Sequence, residues 1–196
     1  MKLLSRNITT WLIASKTIDP EDRELYEYAV SCLFITLSPL LLILCIGFLL
    51  GMVRESIVLI IPFMTIRKFS GGIHAKSPFV CFVSSTGLLF FFLLIAQKIN
   101  VNWILSLLLV LSGVSLMIFS PIDSEERKLN GQEKKTFHRI TMIMVISYAG
   151  IYMLLSHFGL KRYAVCIALG IILSASLQFP CLARRNKTFR KCQKHF

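Results

Sequence analysis

Charge is what this sequence has least of. Only 16% of its 196 residues are Asp, Glu, Lys or Arg, whereas 55% are hydrophobic. A water-soluble domain carries roughly a quarter charged residues, so the composition excludes an ordinary soluble fold. The mean hydropathy of +0.69 agrees. Five stretches contain no Asp, Glu, Lys or Arg at all: Leu33–Val53, Phe79–Ala96, Val101–Ser120, Ile140–Phe158 and Tyr163–Leu182. Each is at or near the ~20 helical residues that cross a ~30 Å hydrocarbon layer. The midplanes of these stretches offer only Gln178 beside Ser, Thr and Cys. Ion transporters usually place ionisable groups there, so that class is disfavoured.

Acidic residues are scarcer than basic ones, 10 against 22, for a net charge of +12. No nucleic-acid reading motif accompanies the excess. Its place between hydrophobic stretches is that of orientation signals and anchors to anionic lipid. The six cysteines form no CxxC pair, which leaves zinc, iron–sulfur and disulfide frameworks unsupported. Neither a metal nor another cofactor is expected. Cys45 and Cys166 lie inside apolar runs, as small core hydrophobes do. The N-terminus lacks the long apolar core and small-residue cleavage site of a signal peptide. Internal repeats and low-complexity segments are also missing.

What is present predicts an all-α integral membrane protein: an N-terminal interfacial amphipathic helix followed by about six membrane segments. The second segment, Ile57–Ile66, is short and interrupted by Pro62, so it reads as a half-span or broken helix. The chain forms one polytopic domain, residues 1–196, with a cytosolic or interfacial region 1–30, membrane segments in 33–182, and a basic cytosolic tail 183–196. Orientation follows from Lys and Arg. With the N-terminus inside and six crossings, the stretches 1–30, 67–78, 121–139 and 184–196 hold four, three, five and six of them. That is 18 of 22, leaving Arg54, Lys98, Lys161 and Arg162 outside. Both termini are then cytosolic. In Met1–Ile18, Leu3, Leu4, Ile8, Trp11, Leu12 and Ile18 recur at helical spacing between polar residues, the pattern of a helix in the membrane interface. Asp19-Pro20-Glu21-Asp22 predicts a new helix start with Asp19 as N-cap.

The chemistry concentrates in Arg67-Lys68-Phe69-Ser70-Gly71-Gly72-Ile73-His74-Ala75-Lys76-Ser77-Pro78-Phe79-Val80-Cys81, which contains three basic residues and no acid. Ser77-Pro78 predicts a helix start, and Cys81 falls on its first turn. Partial positive charge and free N–H groups there favour a thiolate, as do Arg67, Lys68 and Lys76. His74, in the preceding turn, is a candidate base and acid for Cys81. Gly71-Gly72 allows backbone N–H groups to approach a developing oxyanion. The competing reading is plain: a packing cysteine at the top of a helix and a solvated histidine at an interface. His138, His157 and His195 read as interface markers. A third catalytic member is not evident, since Glu55 falls on the opposite side of the membrane.

Arg67, Gly71-Gly72, His74 and Cys81, with seven residues from His to Cys, resemble the motif of the accessory gene regulator protein B family. That family processes quorum-sensing peptides in Gram-positive bacteria. The similarity runs over the whole chain and includes the loop Ser120-Pro121-Ile122-Asp123-Ser124. The family's Lys-Pro pair further along is absent, replaced by Arg127-Lys128-Leu129. The resemblance implies a bacterial cell-membrane cysteine endopeptidase with a His74–Cys81 dyad and no cofactor. Arg67, Gly71, Gly72, Lys76 and Ser77 would support the oxyanion or the substrate. The implied substrate is a short propeptide with an amphipathic leader and an acidic tail, cut through a thioester on Cys81 and cyclised to a thiolactone or lactone. The basic 67–78 loop and the tail from Arg184 to Lys194 suit an acidic partner, although lipid anchoring explains the tail as well. The resemblance also admits a homodimer. A rival from another class is a non-enzymatic peptide exporter or channel; a second is a structural membrane subunit whose tail recruits an acidic protein.

Overall fold

The computed structural model describes residues 2–15, 17–70, 78–121 and 130–178, with side chains for all of these but residues 2–4, 32, 35, 36 and 78–81. Among the described residues everything regular is helical. The order is α1 Lys2–Ala14, a 3-10 turn Pro20–Asp22, α2 Arg23–Leu49, α3 Val53–Ser70, α4 Pro78–Lys98, α5 Trp103–Phe119, α6 Gly131–His157 and α7 Lys161–Ser176. By length and composition α6 is the one described helix that qualifies to cross a membrane; Leu37–Leu49, Phe82–Lys98 and Trp103–Phe119 are shorter apolar stretches.

Helix α7 is the axis of the bundle. It packs against α3, α4, α5 and α6, and Ala164–Ile171 and Leu173–Ala175 are all buried. A helix apolar all round belongs in a core. By contrast, α5 buries Leu105, Leu109, Gly113 and Leu116 at spacings of three and four. Its outer face exposes Leu107, Leu108, Val110, Leu111, Val114 and Ile118. An outside as apolar as the inside is consistent with a helical membrane protein, and water would penalise so large a patch.

A close approach in the core joins α3 and α7. A Cβ added at Gly170 would meet the Pro62 ring at 2.7 Å and the Leu59 carbonyl at 2.8 Å. Ser174 Oγ donates to its own helix at the Gly170 carbonyl and also approaches the Phe63 carbonyl at 3.4 Å. Pro62 therefore does not interrupt this segment, contrary to the sequence expectation of a half-span or broken helix. Pro62 brings no N–H to the Val58 carbonyl, yet α3 continues through all 18 residues of Val53–Ser70. The helix gains its length at polar ends, Arg54-Glu55 and Arg67-Lys68, which a hydropathy window leaves out. At 1.5 Å per residue it is about 27 Å long.

Two other boundaries moved. The first apolar stretch ends earlier than Val53, because Gly51 at φ 69° closes α2. Gly51 N–H donates to the Phe48 carbonyl and Met52 N–H to the Gly47 carbonyl, 2.6 Å, the paired bonds of a left-handed glycine cap. Gly159 at φ 78° closes α6 in the same way, with Leu160 N–H on the Leu155 carbonyl. At the N-terminus, Asp19 caps only the 3-10 turn and makes no side-chain cap bond. Helix α2 starts at Arg23 and runs unbroken into the first apolar stretch. In α1, Ser5 and Thr9 are buried, whereas Trp11 is exposed.

Contacts fix the helix directions. Glu55 pairs with Arg162 at 3.7 Å, and Pro62 lies at Gly170, so α3 and α7 run parallel. Ser106–Tyr152 Oη at 2.8 Å, Gly113 against Val145, and Ser120–His138 make α5 and α6 antiparallel. Gln97 Nε2 meets Met52 Sδ at 2.6 Å, which sets the end of α4 beside the α2–α3 turn. Direction thus alternates from α2 to α7. One end of the bundle holds Met52, Glu55, Gln97 and Arg162. The other holds the end of α3, the start of α4, the end of α5, the start of α6 and the end of α7.

Gly170→Val tests the α3–α7 contact. We expect a loss of about 1–3 kcal/mol from overpacking, read as a lower unfolding midpoint in detergent. Gly87→Ala is the control: nothing lies within 4 Å of a Cβ there, so it should keep or raise the midpoint through helix propensity alone. Equal midpoints for the two variants would refute the close approach.

Candidate active site

The last turn of α3 is basic, with Arg67 and Lys68. Cations at a helix C-terminus offset its partial negative charge. The half-buried Arg67 sets its guanidinium 5.7 Å from the Phe63 ring centre, one turn back on the same face. Lys68 Nζ lies 5.6 Å from the Phe69 ring centre. Phe69 then meets Phe137 of α6 edge to face at 5.7 Å. Aromatic stems thereby hold two cations at the end of α3, where α3 abuts the start of α6.

Gly71, Gly72, His74, Lys76 and Ser77 lie outside the described residues, as do residues 122–129 of the 121–139 loop. The helix that follows begins at Pro78, as the Ser77-Pro78 pair predicts. Cys81 is its fourth residue, on the first turn; its side chain is not described. Helix α4 packs against α7, and its far end touches Met52. Its first turn therefore shares the end of the bundle that carries Arg67. Of the predicted site, the structure places the Arg67 turn and the Cys81 turn at the same end of the bundle.

Sequence reasoning missed a buried polar cluster at this same end. Gln178 is only 1% exposed and follows the last turn of α7, rather than occupying a midplane. Its Nε2 donates to Ser120 Oγ at 2.8 Å. His138 Nδ1 lies 2.8 Å from the Ser120 carbonyl. A carbonyl only accepts, so Nδ1 carries a proton and donates it to this bond. One serine thus joins the ends of α5, α6 and α7. Gln178 Oε1 is buried and has no partner among the described residues. A buried glutamine in an apolar run was the available signal; sequence separations of 18 and 58 residues hid its connections.

The start of α6 completes this end. Glu133 Oε2 accepts from the Asn130 N–H at 3.0 Å, and Lys134 and Lys135 follow. An open cleft of about 310 Å³ near the start of α2 is lined by Ser5, Glu24, Glu27, Tyr28 and Ser31. Its two carboxylates disfavour an acidic ligand, which points such a ligand toward the Arg67–Lys68 turn instead. Among the described residues no group of His, Cys, Asp or Glu could hold a metal ion.

Fold and site define a class: an all-helical bundle of apolar surface whose one basic end holds a cysteine on the first turn of a helix. Comparison with known proteins gives the family. The accessory gene regulator B model matches residues 5–179, nearly the whole chain, and the chain belongs to that family. It is 25% identical over 183 residues to the accessory gene regulator protein B of Staphylococcus carnosus, covering 91% of this chain and 94% of that one. It is 24% identical over 186 residues to an AgrB-like protein of Listeria monocytogenes, covering 92% of this chain and 91% of that one. No solved structure matches the chain.

Proposed function

We propose that this chain is a membrane-embedded cysteine endopeptidase that matures a short quorum-sensing propeptide. The observation that carries the reading is the place of Cys81: the first turn of α4, at the end of the bundle where α3 presents Arg67 and Lys68. Free N–H groups of a first helical turn and two nearby cations favour a thiolate. Membership of the family supports the same assignment.

In this mechanism His74 takes the proton of Cys81. The thiolate attacks the carbonyl carbon at the end of the future signal. The C–N bond breaks, the departing amine takes the proton from His74, and the acidic tail leaves. The peptide remains as a thioester on Cys81. A thiol or hydroxyl within the peptide then gives its proton to His74, attacks that carbonyl, closes the ring and expels Cys81 as thiolate, which His74 reprotonates. Backbone N–H groups of Gly71-Gly72 or of the first α4 turn would stabilise each oxyanion. Lys76 and Ser77 would support the substrate, and the cations of the 67–78 stretch would attract its acidic tail. The N-terminal helix would dock the amphipathic leader.

The proposed topology has six crossings and cytosolic termini. Alternating helix directions from α2 to α7 support it, as does the confinement of 18 of 22 Lys and Arg to one side. A reporter that works only in the cytosol should be active when fused at residue 196 and silent at Lys98. The reverse pattern would overturn the topology.

The dyad has its own test. Cys81→Ser and His74→Ala should each lower cleavage of a co-expressed propeptide at least about a hundredfold, and the double variant no further, since the two act as one unit. Membrane abundance should not change. A thiol-reactive probe should label Cys81 faster than Cys32 or Cys192. A Cys81→Ser protein that accumulates normally and still releases the acidic tail would refute the peptidase and favour an exporter.

A further inference from the structure

The Gln178 amide is half used. One edge donates to Ser120 Oγ; the other, Oε1, is buried without a partner among the described residues. Four hydroxyls share that condition, those of Ser38, Thr86, Ser115 and Ser156, but they differ in kind. A helical hydroxyl has a carbonyl one turn back to which it can rotate. An amide oxygen only accepts, and past the last turn of α7 no donor of its own helix is left to it. Interchanging amide O and N changes which atom is open but not that one edge is open. Buried acceptors in apolar surroundings are normally paired. Leaving one unpaired is tolerated where something else completes it.

Place says what that is. Gln178 closes α7, Cys81 opens α4, α4 packs against α7, and both lie at the same end of the bundle. Ser120, itself bonded by His138, holds one edge of the amide, so the side chain is not free to turn. An extended peptide offers a backbone N–H at alternate residues on each side, which is what an amide oxygen accepts. At 1% exposure the bond would form out of water, where it is strongest.

We propose that Gln178 is a substrate-positioning residue: its side-chain amide accepts a hydrogen bond from the peptide backbone of the propeptide and sets its register against Cys81. This rests on the peptidase reading. It gives sequence-independent recognition close to the scissile bond, complementary to the charge that attracts the acidic tail.

The test uses the full-length chain in membranes with a co-expressed short propeptide that ends in an acidic tail. Gln178→Leu keeps the volume and removes the acceptor. It should raise KM about tenfold with kcat nearly unchanged, because a bond made equally in ground and transition states was lost. Its unfolding midpoint should stay the same or rise, since an unpaired buried acceptor is gone. Gln178→Glu, kept protonated by burial, retains a carbonyl acceptor and a donor and should restore KM. A merely structural tie predicts the opposite: a lower midpoint and a parallel loss in Ser120→Ala. An unchanged KM in Gln178→Leu overturns the proposal. Should that variant not accumulate, a diazirine-bearing residue at 178 in the Cys81→Ala chain decides. Trapping the peptide there supports the proposal, and trapping lipid or the chain alone overturns it. Failure of the peptidase reading is separate and visible, as cleavage that survives Cys81→Ala.

Discussion

The bundle depends on one contact made almost without side chains. At Gly170 the backbone of α7 reaches the Pro62 ring and the Leu59 carbonyl of α3. In hydrocarbon, apolar side chains gain nothing by leaving solvent for one another, so helices associate by close packing and by polar bonds between them. Small residues on α7, Ala164, Ala168, Gly170, Ser174 and Ala175, permit that approach along much of its length. Because α7 also touches α4, α5 and α6, the depth at which α3 sinks into it sets where every other helix can lie.

Polar bonds between helices extend the same logic. Thr65 gives its proton to the Ile61 carbonyl at 2.7 Å, so at 2.9 Å it accepts from the Tyr148 hydroxyl. Ser106 and Tyr152 repeat the arrangement between α5 and α6. On α5 the contacts at Ser106, Gly113 and Ser120 fall seven residues apart, and their partners Tyr152, Val145 and His138 keep the same interval on α6. A seven-residue repeat is the signature of two helices that cross at a shallow angle and stay in touch over their length. Hydroxyls and a glycine, rather than large apolar knobs, mark this seam.

Much of the helical order was legible in the sequence because hydrocarbon imposes long uncharged stretches. The start of α4 at Pro78 was legible because proline fixes the first turn and cannot serve inside it. The continuity of α3 was not. Pro62 argues locally for a break, and only Gly170 and Ser174, more than 100 residues away, show what packs against the unbroken helix. The early end of α2 turns on a positive φ at Gly51, which a hydropathy average passes over. At the site, Arg67 and Cys81 could be picked out because they share one short stretch. Ser120, His138 and Gln178 come from three helices, and no local pattern predicts that their ends converge.

The two ends of the bundle are built for different duties. At one, α2–α3 and α6–α7 are joined by short glycine-closed turns, and Glu55 with Arg162 bridges the starts of α3 and α7. Little there can move. The other end gathers the C-termini of α3, α5 and α7, three sources of partial negative charge that would oppose a thiolate. Arg67 and Lys68 on α3, with Lys134 and Lys135 on α6, answer that field. Without them, the N-terminal turn of α4 would face the negative ends of its neighbours and lose much of its pull on a proton. On the proposed peptidase reading, the basic character of this end therefore also offsets the negative helix ends that surround the start of α4.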